Sequence, residues 1–197
     1  MTPRIGLFGG TFDPIHVAHL AVAVAARHQL GLDRVLLMVA NVPWQKVQSR
    51  EVSNPEARLA MVQAAVEGRI GLEASDLEIR RGGDSYTADT LGQLHRQGDC
   101  DIFLIVGSDL VGELTTWKRW AELPALCTLA VAYRPGETST AEAAPGWSSV
   151  DIRLPALELS SSELRRMAAD GRPLDFLVPD PVLAVIAERG LYRGATP

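Results

Sequence analysis

The chain has 197 residues, of which 47% are hydrophobic and 22% are charged, and its formal net charge is −5. This composition supports one folded domain with a substantial core and excludes an intrinsically disordered chain. The acidic balance also lacks the broad basic surface of a nucleic-acid-binding protein, so a phosphate site would have to be a local cluster of donors. We therefore expect one domain over residues 1–197 and no nucleic-acid partner.

The cysteines and the N-terminal segment indicate where the protein works. Cys100 and Cys127 form neither a Cys-x-x-Cys pair nor a zinc-binding pattern, which favours two reduced thiols. The N-terminal residues lack the apolar region of a signal peptide, and no apolar stretch is long enough to span a bilayer. We expect a cytoplasmic protein without a membrane partner.

Apolar runs alternate with helical segments along the chain. The first half predicts strands over residues 5–8, 34–40 and 72–79, and helices over residues 17–30, from 54 to about 68, and over 89–96. The second half predicts strands over residues 102–106, 126–132 and 150–154, and helices over residues 160–170 and 181–188. Residues 137–147, rich in small and turn-forming residues, predict a surface loop.

This alternation predicts an α/β protein, a Rossmann-like doubly wound parallel sheet with helices on both faces. A small helical segment over about residues 160–192 would complete it at the C-terminus. Sheets of this kind bind ligands beyond the carboxyl ends of their strands. The segments after Phe8, Ala40 and Val106 are therefore where a site is expected.

The most informative stretch covers residues 9–19 and reads Gly-Gly-Thr-Phe-Asp-Pro-Ile-His-Val-Ala-His. It joins the first strand to the first helix, where backbone N–H groups and the helix N-terminus attract anions. His16 and His19 are three residues apart, so they share one helix face and could donate to phosphoryl oxygens. A glycine turn is common and a lone histidine there is usually structural, but the pair behind this turn indicates a functional site.

Three common nucleotide or hydrolase motifs are missing from the chain. It contains no G-x-G-x-x-G fingerprint, no P-loop ending in Gly-Lys-Ser/Thr and no G-x-S-x-G elbow. These absences weaken the interpretation as a dehydrogenase, a P-loop kinase or an esterase.

The glycine and histidine stretch resembles the signature of the HxGH nucleotidyltransferase superfamily. From Ile5 to about Tyr192, the chain is similar to bacterial nicotinate-nucleotide adenylyltransferases. The similarity also rests on residues 42–46, 81–91 and 159–165, and on residues 106–109 followed by Trp117 and Trp120. The family usually has glycine at position 18, where this chain has Ala18. The extra methyl favours a helix by roughly 1 kcal/mol, so any cost should fall on nucleotide binding.

The resemblance implies transfer of AMP from ATP to nicotinate mononucleotide, giving nicotinate adenine dinucleotide and pyrophosphate in NAD biosynthesis. Mg²⁺ would accompany ATP without a dedicated protein cage, and Asp13 is too weak a candidate for a ligand. The expected catalytic residues are His16, His19, Lys46 and Arg165. The expected ATP-binding residues are Gly9, Gly10, Thr11, Phe12, His16, His19, Gly107, Asp109, Ser161, Ser162 and Arg165. The expected mononucleotide-binding residues are Lys46, Tyr86, Thr87 and Trp117.

Several of these residues have an equally simple structural interpretation. Lys46 could be a solvated surface lysine, Asp109 and Thr87 helix caps, and Ser162 with Arg165 a capping serine run beside a surface arginine. Trp117 could pack in the core, although Trp120 fits that role better.

The function has alternatives too. They are a related transferase that uses nicotinamide mononucleotide or phosphopantetheine, and an inactive nucleotide-binding regulator. The sequence allows either a monomer or a homo-oligomer.

Overall fold

A computed structural model describes residues 2–42, 52–133 and 146–193 and contains one six-stranded sheet. The strands are β1 (Arg4–Gly10), β2 (Arg34–Val39), β3 (Leu72–Ser75), β4 (Asp101–Gly107), β5 (Thr128–Tyr133) and β6 (Ser149–Arg153). All neighbouring pairs are parallel, in the order β3-β2-β1-β4-β5-β6. The order reverses between β1 and β4, which creates a crevice at their carboxyl ends. The predicted fold class is confirmed.

Helices cover both faces of the sheet. They are α1 (Val17–Gln29), α2 (Pro55–Val66), α3 (Leu77–Arg81), α4 (Thr87–Gln97), α5 (Ser108–Val111), α6 (Leu123–Leu126), α7 (Ser161–Ala169) and α8 (Asp180–Glu188), with 3-10 turns at Leu114–Thr116 and Trp120–Glu122. One core cluster packs helices α1, α2, α7 and α8 against one face of the sheet. A second cluster packs helices α3, α4, α5 and α6 against the other face. Successive residues of β2 illustrate the division, because Leu37 belongs to the first cluster and Leu36 to the second.

Two predicted helix boundaries are confirmed by their capping residues. Helix α1 ends at Gln29, with Leu30 as its C-cap, and Gly31 follows with a φ of 58°. Glycine adopts this left-handed conformation without steric cost. At the start of α2, the Asn54 side chain accepts a hydrogen bond of 2.7 Å from the backbone N–H of Ala57.

The prediction of a strand over residues 72–79 was wrong in its second half. The strand stops at Ser75, and residues 77–81 form the short helix α3. Alternating apolar residues suggested a strand, but Leu77 and Glu78 are buried from a helical turn instead. A run this short carries too little periodicity to distinguish the two structures.

The predicted surface loop over residues 137–147 needs a correction at its last residue. Trp147 is buried, and its indole N–H donates to the Cys127 carbonyl at 3.0 Å. A large ring whose polar atom finds a partner contributes more to the core than to a surface. Residues 137–145 lie outside the described part of the chain. Within the described ranges, no helix has the length and apolarity that a membrane span requires.

Arg58 of α2 is the largest fully buried side chain and binds backbone carbonyls from three segments. Its guanidinium donates to the carbonyls of Thr11 at 3.0 Å, Ala40 at 2.7 Å, Asn41 at 3.0 Å and Ser53 at 2.8 Å. These carbonyls belong to the turn after β1, the end of β2 and the approach to α2. The planar fork of donors on arginine suits several fixed acceptors at once.

We predict that Arg58→Met lowers the free energy of unfolding by about 3 kcal/mol or more, because buried carbonyls would lose their donors. The free energy of unfolding of Arg58→Lys should lie between those of Arg58→Met and the wild type, since an ammonium group cannot reach all four acceptors. Urea unfolding measures both effects. The matched control is Arg80→Met on α3, where the arginine is exposed and paired with Asp76. Equal losses at positions 58 and 80 would contradict the prediction.

Candidate functional site

The two glycines at the end of β1 differ in the space around the position where a side chain would begin. A Cβ built at Gly10 would lie 2.7 Å from the Phe12 ring, whereas one built at Gly9 meets no atom within 4 Å. Phe12 is buried, has a φ of 50° and packs edge-on to Phe8 and His19. Gly10 is therefore needed for packing inside the protein, and Gly9 leaves open space beside the turn. A buried ring at Phe12 leaves only its backbone for a nucleotide contact.

His16 and His19 lie together at the start of α1. His16 is the N-cap residue and is buried, and the two imidazole rings stack with centroids 3.7 Å apart. The backbone N–H of His16 donates to Nδ1 of His19 at 3.3 Å. In a neutral ring this assigns the proton of His19 to Nε2. Nδ1 of His16 is buried without a hydrogen-bond partner among the described residues.

Burial sets the protonation state of His16. Removal from water lowers its pKa from 6.5 to about 4, so the ring is neutral at pH 7. A neutral ring stacks on its neighbour without the repulsion that two imidazolium ions would create. Any stabilisation of an anion by this ring would come from an N–H dipole rather than from a full charge.

The N-terminal turn of α7 lies against the histidine segment. The Ser161 hydroxyl donates to the Pro14 carbonyl at 2.9 Å, and Arg165 donates to the Asp13 carbonyl at 2.6 Å and to the Ser162 hydroxyl at 3.1 Å. Ser160 is the N-cap, and its side chain accepts from the backbone of Glu163. The structure thus brings together the two predicted ATP segments. The Ser161 hydroxyl is engaged within the protein.

Asp13 has internal partners. Its carboxylate accepts a hydrogen bond of 2.6 Å from the Tyr192 hydroxyl and one of 3.3 Å from the backbone N–H of Ser53. Burial, with the nearby Asp13 charge, raises the pKa of Tyr192, so its hydroxyl stays protonated and donates. Sequence reasoning did not assign a role to Tyr192. Only a contact across the whole chain reveals one.

A pocket opens at the carboxyl ends of β1 and β4, on the side of α3 and α4. Its lining includes Gly9, Gly10, Thr11, Glu78, Ser85, Thr87, Gly107 and Trp117. The predicted glycine turn, the fourth-strand glycine and two predicted mononucleotide-binding residues therefore share one cavity. The indole N–H of Trp117 is buried and has no hydrogen-bond partner in the described ranges.

Two other predicted residues lie elsewhere, and a third is outside the described part of the chain. Tyr86 is the N-cap residue of α4, and its hydroxyl donates to Asp84 at 2.8 Å rather than lining the pocket. Asp109 is exposed in α5, and its carboxylate folds over the space left by the missing Cβ of Gly107. Lys46 lies outside the described residues.

A buried polar network behind the pocket was missed by the sequence analysis. The Thr90 hydroxyl donates to the Glu78 carboxylate at 2.5 Å, and Arg81 donates to the Thr90 hydroxyl at 3.1 Å. Arg81 also lies 3.9 Å from Glu78, which neutralises a carboxylate that lines the pocket. The i,i+3 spacing of Glu78 and Arg81 would have signalled this pair only if the segment had been predicted as a helix.

The fold and this site place the chain in a known class of α/β protein. The model of the cytidylyltransferase-like family matches residues 7–167, most of the chain. Among solved structures, a Plasmodium falciparum nicotinic acid mononucleotide adenylyltransferase complexed with NaAD has a TM-score of 0.80 at 19% identity. The alignment covers 96% of this chain and 97% of that one. At such low identity this similarity establishes the fold alone.

Sequence relatives are closer. The Bordetella pertussis protein named "Probable nicotinate-nucleotide adenylyltransferase" is 42% identical, covering 96% of this chain and 98% of its own. Proteins of the same name from Roseiflexus sp. and Corynebacterium kroppenstedtii are 40% and 39% identical, with 98% and 91% of their lengths covered. The chain belongs to the nicotinate-nucleotide adenylyltransferase family, which confirms the resemblance predicted from its sequence.

We predict that Gly9→Ala and Gly10→Ala have different effects. Gly10→Ala should cost about 1–3 kcal/mol of stability, because the methyl would overlap the Phe12 ring. Gly9→Ala should change stability by no more than about 0.5 kcal/mol, yet raise the KM for ATP about tenfold, since the methyl would occupy space expected for the nucleotide. Urea unfolding and steady-state kinetics test the pair. A destabilised Gly9→Ala with normal kinetics would contradict this assignment.

We also predict a stability change that depends on His16. Its pKa is about 4 in the folded protein and 6.5 for an ordinary histidine, so the unfolded chain binds more protons between these pH values. The contribution of His16 to the free energy of unfolding is therefore fully present above pH 6.5. It is lost on acidification towards pH 4, which lowers the free energy of unfolding by about 3 kcal/mol. Urea unfolding at several pH values should show a smaller decrease for His16→Gln. A His28→Gln control, at an exposed position, should keep the wild-type slope. Identical slopes in all three proteins would contradict the prediction.

Proposed function

We propose that this protein transfers the AMP unit of ATP to the 5′-phosphate of nicotinate mononucleotide. The products are nicotinate adenine dinucleotide and pyrophosphate, and the reaction belongs to NAD biosynthesis. The observation that carries the proposal is the His16–His19 pair at a helix N-terminus, directly after a turn that lines the Thr87–Trp117 pocket. Membership of the family supports the same acceptor.

The proposed chemistry is a direct in-line displacement. An oxygen of the mononucleotide phosphate attacks the α-phosphorus of ATP, and the bond from that phosphorus to the β-phosphate oxygen breaks. Pyrophosphate leaves with the electron pair, so no protein nucleophile takes part. The protein contributes position and stabilisation of the charge on the transferred phosphoryl group.

On the ATP side, the supporting features are the donors around the start of α1. The assigned Nε2–H of His19 could donate to a phosphoryl oxygen, and His16, whose ring stacks on that of His19, is proposed as a second donor. Arg165 and Ser162 lie at the N-terminus of α7, which also favours anions. Lys46 is proposed as a further cation on the family resemblance alone.

On the acceptor side, Trp117 offers a flat apolar face for the pyridine ring, and Thr87 lines the same pocket. The Thr87 hydroxyl or nearby backbone N–H groups are proposed to bind the nicotinate carboxylate. Asp109, exposed at the end of β4, is proposed to accept hydrogen bonds from ribose hydroxyls. The Glu78 carboxylate also lines this pocket, and the neighbouring Arg81 offsets its repulsion of an anionic nucleotide.

A divalent metal, which we propose is Mg²⁺, would be held mainly by the triphosphate. The described residues contain no group of three histidine, cysteine, aspartate or glutamate side chains arranged to hold a metal ion. Asp13, in the turn between β1 and α1, already accepts two hydrogen bonds from the protein. The ion would supply charge neutralisation on the phosphates, while the residues of this chain orient both nucleotides.

Wild-type protein with ATP and Mg²⁺ is expected to release pyrophosphate with nicotinate mononucleotide as acceptor. The acid should be preferred over nicotinamide mononucleotide, because Thr87 and nearby backbone N–H groups are proposed to bind its carboxylate. Phosphopantetheine should be inactive, because it has no pyridine ring to place against Trp117. A coupled pyrophosphate assay with the three acceptors measures this, and mass spectrometry identifies the dinucleotide. Equal or faster turnover of the amide would reject the acceptor specificity. No turnover with any of the three acceptors would reject the proposed enzymatic activity.

His16→Ala and His19→Ala connect the turnover to this site. Each removes a proposed donor to the transition state and should lower kcat about 100- to 1000-fold. Circular dichroism and the melting temperature establish whether each variant is folded. His28→Ala, at the exposed end of the same helix, is the control and should keep the wild-type rate. Folded His16 and His19 variants with near-normal rates would contradict the proposed site.

A further inference from the structure

Arg119 is held in a strained conformation near the pocket. It lies in the segment between β4 and β5 that carries Trp117, and its φ of 58° places it in the left-handed region. A residue with a Cβ rarely adopts this conformation unless surrounding contacts compensate for its cost.

Two carboxylates from different segments bind the Arg119 guanidinium. Glu122, three residues further along the same segment, accepts from Nε at 2.7 Å and from Nη2 at 2.6 Å. Asp89, in the first turn of α4, accepts from Nη1 at 2.5 Å. Glu122 thus orients the planar guanidinium, and Asp89 connects it to a different element. The contacts favour the charged forms of Arg119 and Glu122, because Glu122 and Asp89 raise the pKa of the Arg119 guanidinium and Arg119 lowers the pKa of Glu122.

This ion pair joins two segments that both contribute residues to the pocket lining. Asp89 is two residues after Thr87, and Arg119 is two residues after Trp117. Thr87 and Trp117 both line the pocket. The link from Arg119 back to Trp117 is short and ordered, because the backbone N–H of Trp120 donates to the Trp117 carbonyl at 3.1 Å. A shift at Arg119 would therefore move Trp117 relative to Thr87.

We propose that Arg119 is a positioning residue for the acceptor nucleotide, acting through its ion pair with Asp89 to set the separation of Trp117 and Thr87. This inference rests on the proposed function, since it assigns the Thr87–Trp117 pocket to nicotinate mononucleotide. The ion pair contacts neither the histidine pair nor α7 in the described structure. Its loss should therefore weaken binding of the mononucleotide and leave ATP binding unchanged.

The test uses Asp89→Asn, Arg119→Asn and the double variant of the full chain. Asparagine at position 119 tolerates the left-handed backbone and removes the guanidinium, so it separates the ion pair from backbone strain. Each single variant should raise the KM for nicotinate mononucleotide about two- to fivefold, the range of a partly exposed ion pair. The KM for ATP and kcat should stay at wild-type values, and the double variant should be no worse than the single ones.

The control is Glu73→Gln, which removes a comparably exposed carboxylate from its ion pair with Arg34 on the edge of the sheet. It should change neither KM. Calorimetric titration with nicotinate mononucleotide alone gives a second measurement that needs no turnover. In the wild type, its dissociation constant should rise with salt more steeply than in Asp89→Asn, because salt screens the pair.

The outcomes separate this inference from the proposed function. If the wild type neither binds nor uses nicotinate mononucleotide, the proposed function fails. If the wild type uses it and the variants keep its KM, the role of Arg119 is rejected. Equal increases in the KM of both substrates, or strictly additive effects in the double variant, would also reject it, because they indicate a general structural loss.

Discussion

The buried guanidinium of Arg58 is the interaction on which the geometry of the turn after β1 and of the pocket depends. It binds the Thr11 carbonyl after β1 and the Ala40 and Asn41 carbonyls after β2. The same backbone also contacts the pocket lining, because the Asn41 N–H donates to the hydroxyl of Ser85, a lining residue, at 2.8 Å. One cation thus connects the turn between β1 and α1 to the segment that carries Thr87. Backbone carbonyls at strand ends have no ladder partner, and burial without a donor would be costly.

The C-terminal segment contributes to the site directly. The Leu177 carbonyl accepts a hydrogen bond of 3.1 Å from the backbone N–H of Val17, one of the N–H groups that a helix start leaves without a partner. Tyr192 binds the Asp13 carboxylate, and Arg165 binds its carbonyl. The turn between β1 and α1 is therefore enclosed by contacts from residues far along the chain. Such contacts limit the positions that its backbone and histidines can adopt, which favours a preorganised anion site.

The proposed phosphate site does not require a basic protein, because its donors are local. His16 is kept neutral by burial, and the N-terminus of α1 supplies oriented dipoles. Among the described residues, Glu78 is the only carboxylate in the pocket lining, and Arg81 and Thr90 lie beside it. The formal net charge of −5 therefore does not describe the field inside the site.

The sequence by itself determined the fold class, most strand positions and the histidine pair, because hydrophobic periodicity and short motifs act over a few residues. It also indicated that Gly9, Thr87 and Trp117 belong to a site, through the family resemblance. It failed where a short segment allows two structures, as at Leu77–Arg81, and it could not separate the structural role of Gly10 from the open space at Gly9. Only the tertiary structure decided the contacts of Arg58, Tyr192 and Arg119, because their partners lie on other elements. Local patterns specify elements, whereas the energy of a buried or bridging polar group depends on which distant atoms the fold places beside it.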